Sequence, residues 1–336
     1  MIREEKGFQE GLVSVVTPVY NGEFHLRRML DSVLEQTYPR VEMILADDGS
    51  ADGTVAAAEE YLKKFSDRGY GFRIVKANHK NASAAINRGL PFVTGEYLIW
   101  PDSDDVLERD SIQKRVEFLK AHPEYQCVRS LSYYFDEETG KRSEKADEQR
   151  GELEKEELFW DILESRTFVC CGCYMLKSAR FFEIYLNRRI PEYDVGQNFQ
   201  MLLPYMYRYG CPTIREELYG VAVRSGSHSR TPLTQAQEEK KYDDYENLID
   251  DIAKLCQITD QSSKDRIECW KSARRYRISL KYRRIKEAVG AVNRLRRYGG
   301  FSAGEALKEL FWACFVNGWV EEHLYPIYRK LFCRSS

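Results

Sequence analysis

The sequence predicts an α/β fold built on a parallel sheet, and three observations carry that prediction. Short apolar runs rich in β-branched residues alternate with stretches of helical periodicity along residues 12–120, the pattern of strands joined by crossover helices. The runs are apolar throughout instead of alternating in and out, as in strands covered on both faces. Two of them end in acidic turns, Asp47-Asp48 and Asp102-Ser103-Asp104-Asp105. Core-building does not explain carboxylates at both ends, whereas ligands of open α/β sheets bind outside the carboxyl ends of the strands.

The elements follow in order. Residues 12–19, Leu-Val-Ser-Val-Val-Thr-Pro-Val, read as a buried strand ended by proline, with Tyr20-Asn21-Gly22 as a turn. Phe24, Leu26, Met29, Leu30, Val33 and Leu34 recur at helical spacing up to Thr37-Tyr38-Pro39. A second strand, 41–46, runs into Asp47-Asp48-Gly49-Ser50. A helix begins at Asp52-Gly53-Thr54 and continues to about residue 65. A third strand covers 72–76 and a small helix 82–90. The strand 96–100 then delivers the second acidic turn, with a helix starting near Glu108. Taken alone, that turn is equally well read as an Asp-rich cap of this helix, since Asp and Ser are ordinary turn residues. Carboxylates packed so closely repel unless a cation or donors offset them. Hard oxygen ligands suit Mg²⁺ or Mn²⁺ shared with a substrate phosphate.

Composition bounds the rest. A chain of 336 residues fits one large domain with additions, or two domains. A formal net charge of -2 gives no global sign of nucleic-acid binding. No apolar run approaches the ~20 residues of a membrane span, and residues 1–6 lack the apolar core of a signal peptide. Nine scattered cysteines read as reduced, mostly buried thiols of a cytoplasmic protein; Cys170-Cys171-Gly172-Cys173 has no second cluster to complete a zinc site.

Residues 12–120 resemble the nucleotide-sugar-binding half of family-two glycosyltransferases of the GT-A fold. The matching pieces are Val15-Val16-Thr17-Pro18-Val19-Tyr20-Asn21, Gln36-Thr37-Tyr38, Asp47-Asp48-Gly49-Ser50-Ala51-Asp52-Gly53-Thr54, Asn87-Arg88-Gly89, Thr94-Gly95-Glu96-Tyr97 and Asp102-Ser103-Asp104-Asp105-Val106-Leu107. No single piece is specific; six in the family's order are. The resemblance implies that Thr17, Pro18 and Tyr20 line a nucleobase pocket, with the Tyr20 ring against the base. It gives Asp48 the base ring N–H, which suits uracil, and has Asp52 and Arg88 shape the same pocket. Asp102 and Ser103 would adjoin the donor. Asp102 and Asp104 would form the metal motif, with Asp104 the direct ligand of Mg²⁺ or Mn²⁺ and Asp105 next. Plainer readings stand beside these: Tyr20 as a turn aromatic, Asp52 as a helix N-cap, Arg88 as a surface helix residue.

Beyond residue 120 the pattern is sparser. Residues 125–135 alternate like a strand, 137–141 read as a hairpin tip in a solvated charged stretch, 158–163 as a short helix and 168–176 as a strand. The family's catalytic base commonly sits in a Glu-Asp pair opening a helix. The equivalent position here reads Gln197-Asn198, and neither amide can act as a base. Asp194 is the nearest carboxylate and Glu192 the second; the alternative is that Asp194 only caps the helix from Gln197. The Gly-Gln-Asn-x-Gln-x-Leu-Leu-Pro pattern resembles a recurring bacterial variant of the family. Residues 221–229 resemble the loop after the last core strand, where His228 would approach the metal or diphosphate and Arg224 a phosphate oxygen; a loop hydrogen-bonding His is the plainer reading.

Residues 238–255 form an amphipathic helix and 264–297 a second, with thirteen basic against three acidic residues. Gly299-Gly300 ends it, and an apolar helix covers 301–316. The basic and aromatic pair could rest on an anionic membrane surface; the alternative is a helical packing domain. Nucleic acid is not expected, because no binding motif accompanies the charge. The expected organisation is a GT-A domain over 10–230, divided into a nucleotide-sugar half (10–120) and an acceptor half (121–230), followed by a helical extension over 231–336. The expected activity is inverting transfer of a sugar, UDP-linked, to a saccharide or lipid-linked saccharide, in the cytoplasm or at the inner face of the membrane. The competing expectation is a nucleotide-sugar-binding protein that lost its base and acts as an assembly partner in polysaccharide synthesis. A third is nucleotidyl transfer.

Overall fold

The computed structural model describes residues 7–142, 151–223 and 233–298. The chain divides into two compact units, residues 1–232 and 233–336.

The first unit is a mixed sheet flanked by helices. It opens with β1 (Gln9–Val19), whose Val13, Val15 and Val16 are fully buried. Then come α1 (Leu26–Leu34), β2 (Val41–Asp47), α2 (Thr54–Glu59), α3 (Tyr61–Asp67), β3 (Gly71–Lys76), α4 (Ala82–Gly89) and β4 (Gly95–Ile99). These four strands lie parallel in the order β3-β2-β1-β4, the arrangement of a mononucleotide-binding half. Their carboxyl ends therefore gather the turns after Val19, Asp47, Lys76 and Ile99 along one edge. Next are β5 (Val106–Leu107), α5 (Ser111–Ala121), β6 (Cys127–Asp136), α6 (Phe159–Leu163), β7 (Tyr174–Lys177), α7 (Ser178–Ile184), α8 (Gln197–Met206) and β8 (Thr213–Val223). They extend the sheet to eight strands, β3-β2-β1-β4-β7-β6-β8-β5. Strand β7 runs antiparallel between β4 and β6, and β8 lies parallel to β6.

In this unit two expectations about elements change and one strand is added. The strand expected over 168–176 shrinks to β7, because Cys171–Cys173 coil into a 3-10 turn packed against the Tyr219 ring, where a Cβ at Gly172 would lie 2.0 Å from the ring Cε2. The single helix from 54 to 65 is two, α2 and α3, meeting at Glu60. The short β5 was not anticipated; it forms because the acidic turn hands the chain to the edge of β8.

In the second unit, α9 (Gln235–Leu255) starts with a capping box made by Thr234 and Gln237. The long basic helix expected over 264–297 is in fact α10 (Gln261–Lys281) and α11 (Ile285–Arg297), separated where Arg283 takes φ +55. Tyr276 packs with Ala288, Ala291, Val292 and Leu295 into a core joining the two, and a continuous helix would hold those residues apart. Four of the basic residues pair with acids of α9. Lys271 bonds Asp250, Arg275 bonds Glu246 (2.6 Å) and Asp243, and Lys281 bonds Glu238 (2.6 Å). Arg284 reaches Glu239 at 3.1 Å. The Arg274 guanidinium lies 4.5–4.8 Å from the rings of Tyr242, Tyr245 and Trp270. The helix expected over 301–316, with the Gly299-Gly300 break, lies outside the described residues.

Candidate functional site

The candidate site is built at the carboxyl edge of the parallel strands. Asp48, the residue after β2, is 3% exposed, and its backbone N–H donates to Val19 O at 2.8 Å, tying the ends of β1 and β2 together. Its carboxylate accepts the Lys80 backbone N–H at 3.0 and 3.1 Å and Arg88 Nη1 at 3.2 Å, and His79 Nδ1 lies 2.8 Å away. Tyr20, 42% exposed, stacks on the His79 ring with centroids 3.9 Å apart and planes inclined by 18°. Thr17 is fully buried one strand position behind Pro18, with an Oγ1 that has no partner among the described residues. The structure thus brings Tyr20, Asp48 and Arg88 together.

Asp52 sits in the frame of this pocket. Its carboxylate accepts the N–H of Glu23 (3.2 Å) and of Thr54 (3.0 Å) and the Thr54 hydroxyl. Asn21 makes two further bonds between the same turns: its N–H donates to Ser50 Oγ and its Oδ1 accepts the Ala51 N–H, each 2.9 Å. Hydrogen bonds to the charged form hold the Asp52 carboxyl below its ordinary value against the opposing effect of burial, the largest single influence. Gly49, at φ +79, is required by a close approach: a Cβ there would lie 2.6 Å from His79 N and 2.8 Å from Ala77 O. The loop after β3 therefore runs directly over the turn after β2.

The second acidic turn follows β4 and the fully buried Trp100. Ser103 lies near the turn after β1, since a Cβ at Gly22 would sit 3.8 Å from its Oγ. Asp105 is buried; its two oxygens accept Tyr219 OH at 2.7 Å and Ala222 N–H at 2.9 Å. The Tyr219 oxygen in turn accepts the Asp102 N–H at 3.1 Å. Tyr219 and Asp105 rivet the turn to β8. Arg28 holds it from the α1 side, donating to Asp104 O at 2.5 Å and to Glu137 at 3.0 Å. Burial, with Asp104 adding to it, pushes the Asp102 carboxyl up to about 6, and burial together with Asp102 and Asp104 raises Asp105 well above its ordinary value. Asp102 and Asp104 remain partly exposed. Their hard carboxylate oxygens fit one side of a Mg²⁺ or Mn²⁺ shell. Among the described residues no group of three or more His, Cys, Asp or Glu could hold a metal alone, so water and a substrate phosphate would supply the remaining oxygens. Asp105, with both oxygens engaged, serves the turn's geometry. His228 and Arg224 lie outside the described residues.

The segment before α8 is stapled to α4. Glu192 bonds Lys80 Nζ, Arg189 Nη2 at 2.5 Å and Asn87 Nδ2 at 3.2 Å; these contacts, Lys80 first, bring its carboxyl down to about 2. Asp194 is exposed and accepts Asn81 Nδ2 at 2.6 Å. Asn198, at the helix start, accepts the Trp100 indole N–H at 3.2 Å, so the amide pair stands beside the strand that delivers the acidic turn. Sequence reasoning did not single out His79, Lys80 or Tyr219. The first two had a signal, because they follow a parallel strand and precede the N-cap Asn81. Tyr219 had none, being separated from Asp105 by 114 positions.

Comparison with known proteins bears on the fold and the family. The chain is 36% identical over 126 residues to the putative glycosyltransferase EpsE of Bacillus subtilis (strain 168), a stretch covering 37% of this chain and 44% of EpsE. It thus spans less than half the length of that relative. Among solved structures it is similar to S. aureus TarS 1-349 in complex with UDP-GlcNAc (TM-score 0.58, 16% identity, 90% of this chain and 81% of the other). It is also similar to the mannosyltransferase PcManGT from Pyrobaculum calidifontis in complex with GDP-Man and Mn²⁺ (TM-score 0.52, 18% identity, 95% and 82%). These two likenesses establish the GT-A fold. The family model described as Glycosyl transferase family 2 matches residues 14–184, just over half of the chain, and the chain therefore belongs to glycosyl transferase family 2.

Proposed function

We propose that the chain transfers a sugar from a UDP-linked donor to the hydroxyl of a saccharide acceptor, with inversion. The single observation that carries this reading is the meeting of Tyr20 and the buried Asp48 on one strand edge with the turn of Asp102 and Asp104. A flat base would lie against Tyr20 and give its ring N–H to Asp48, while Arg88 holds that carboxylate in place. The GDP-Man complex of PcManGT and the UDP-GlcNAc complex of TarS are compatible with a nucleotide-sugar donor here.

Asp104 with Asp102 would hold a divalent cation, Mg²⁺ or Mn²⁺, which when bound offsets the charge of the departing diphosphate. Asp194 is the proposed general base. It takes the proton of the acceptor hydroxyl as that oxygen bonds to the anomeric carbon and the bond from that carbon to the phosphate oxygen breaks, releasing UDP. Glu192 is the poorer base, because Lys80 and Arg189 keep it ionised down to a pH of about 2. The amides Gln197 and Asn198 favour a second reading, a donor-binding protein without turnover.

The test is a thermal-shift screen of nucleotide sugars with and without Mn²⁺, in which a ligand of the native state raises the melting point, followed by assay of UDP release. A UDP-sugar that stabilises the protein in a Mn²⁺-dependent way and is turned over supports the transferase. Stabilisation without turnover of any donor and acceptor pair supports the second reading, and Asp104→Ala should remove the Mn²⁺ dependence in either case.

A further inference from the structure

We propose that His79 occupies the place of the nucleobase in the free protein and must leave it when donor binds. The inference rests on the donor-site reading above and adds a residue to it. Two contacts define a base site of this type, a flat ring on Tyr20 and a ring N–H to Asp48. In this structure His79 stands at both: its ring stacks on Tyr20 at 3.9 Å, nearly parallel, and its Nδ1 lies 2.8 Å from Asp48 Oδ2, where a ring N–H would approach. An imidazole, like an indole, combines a flat ring with an N–H in its plane, and so can imitate both contacts of a base. One face of Tyr20 and one oxygen of Asp48 cannot serve His79 and a base in the same way at once.

The loop is suited to such an exchange. His79 belongs to a short connection between β3 and α4, and its side chain is about half exposed. Lys80, the next residue, anchors the loop at a different point through its backbone N–H to both Asp48 oxygens and through Nζ to Glu192. The imidazole can therefore swing out while Lys80 and Arg88 keep Asp48 oriented. Gly49 lets the loop backbone lie close enough for the imidazole to reach Tyr20. The consequence is a lowered donor affinity, because each binding event first breaks the His79 contacts. It also gives a selectivity filter: a ligand that cannot both stack and donate an N–H does not replace the imidazole.

Two measurements on the full chain test the proposal, with UDP as the probe. In calorimetry His79→Ala should bind UDP about 3- to 30-fold tighter than wild type, the range expected when a stacked pair and a charge-assisted hydrogen bond no longer compete. In NMR spectra of the histidine rings, with His79 identified by the signal lost in His79→Ala, its ring protons should be shifted upfield by the Tyr20 ring. That shift should vanish in Tyr20→Ala and on saturation with UDP. Equal or weaker UDP binding by His79→Ala, or a ring shift that persists in the UDP complex, overturns the proposal while leaving the donor site intact. If neither protein binds UDP or any nucleotide sugar, the donor-site reading fails and the proposal falls with it.

Discussion

Replacing Tyr219 by Phe removes one oxygen atom that holds the acidic turn on both sides. The ring is fully buried and packed against Gly172, so Phe fits the same space and the perturbation is confined to the hydroxyl. Two short hydrogen bonds disappear, the donation to Asp105 at 2.7 Å and the acceptance of the Asp102 N–H at 3.1 Å, along with a long contact to Cys171 Sγ at 4.0 Å. A bond to a charged group contributes about 1.5–3 kcal/mol and a neutral one about 1. Asp105 retains the Ala222 N–H, which limits the loss on that side. The expected destabilisation is about 2–4 kcal/mol, which for a unit of this size lowers the melting temperature by roughly 4–16 °C at 2–4 °C per kcal/mol. The second readout is functional. With the turn loosened, the Mn²⁺-dependent part of UDP affinity should shrink, while affinity without metal stays near wild type because the Asp48 pocket is built by other contacts. A melting temperature within 1 °C of wild type together with undiminished Mn²⁺ dependence would refute the positioning role of Tyr219.

The remaining predictions concern the donor pocket, the base and the helical unit. Asp48→Ala should weaken UDP binding by roughly 10- to 100-fold, the consequence of leaving a buried partner unmade at about 1–3 kcal/mol; unchanged affinity in calorimetry would reduce Asp48 to a turn residue. Asp194→Asn should keep UDP-sugar binding and lose at least about 100-fold in turnover, the usual scale of general-base catalysis, whereas Glu192→Gln should cost far less; the reverse order would move the base to Glu192. Because Lys271, Arg275 and Lys281 of α10 and Arg284 at the junction pair with acids of α9, the full chain should show little preference for anionic over neutral liposomes in cosedimentation. Strong anionic binding that fades in high salt would restore the membrane reading.

The sheet was legible in the sequence because buried parallel strands are marked locally: apolar runs such as 12–19 and 41–46, each ended by a turn residue, repeat without dependence on distant partners. The same holds for the acidic turns, which stand out against the apolar runs that precede them, and for Asp48, Asp102 and Asp104 as candidates. Chain neighbours alone could not divide the labour among those carboxylates. Asp105 looks like Asp104 in the sequence, but Tyr219 and Ala222 of β8, more than a hundred positions away, take up both its oxygens. Glu192 looks as basic as Asp194 until Lys80 and Arg189 are seen to neutralise it. The basic stretch 264–297 carries a surplus of ten charges by count, yet folding sets α9 beside it, and its carboxylates answer several of those charges. His79 was invisible for the same reason: only the crossing of the loop after β3 over Gly49 lays its ring on Tyr20 and its nitrogen beside Asp48. Periodicity and turn chemistry are properties of neighbours along the chain and so survive in the sequence. Pairing of charges and sharing of a hydrogen-bond partner are properties of neighbours in space, decided only when the strands take their order in the sheet.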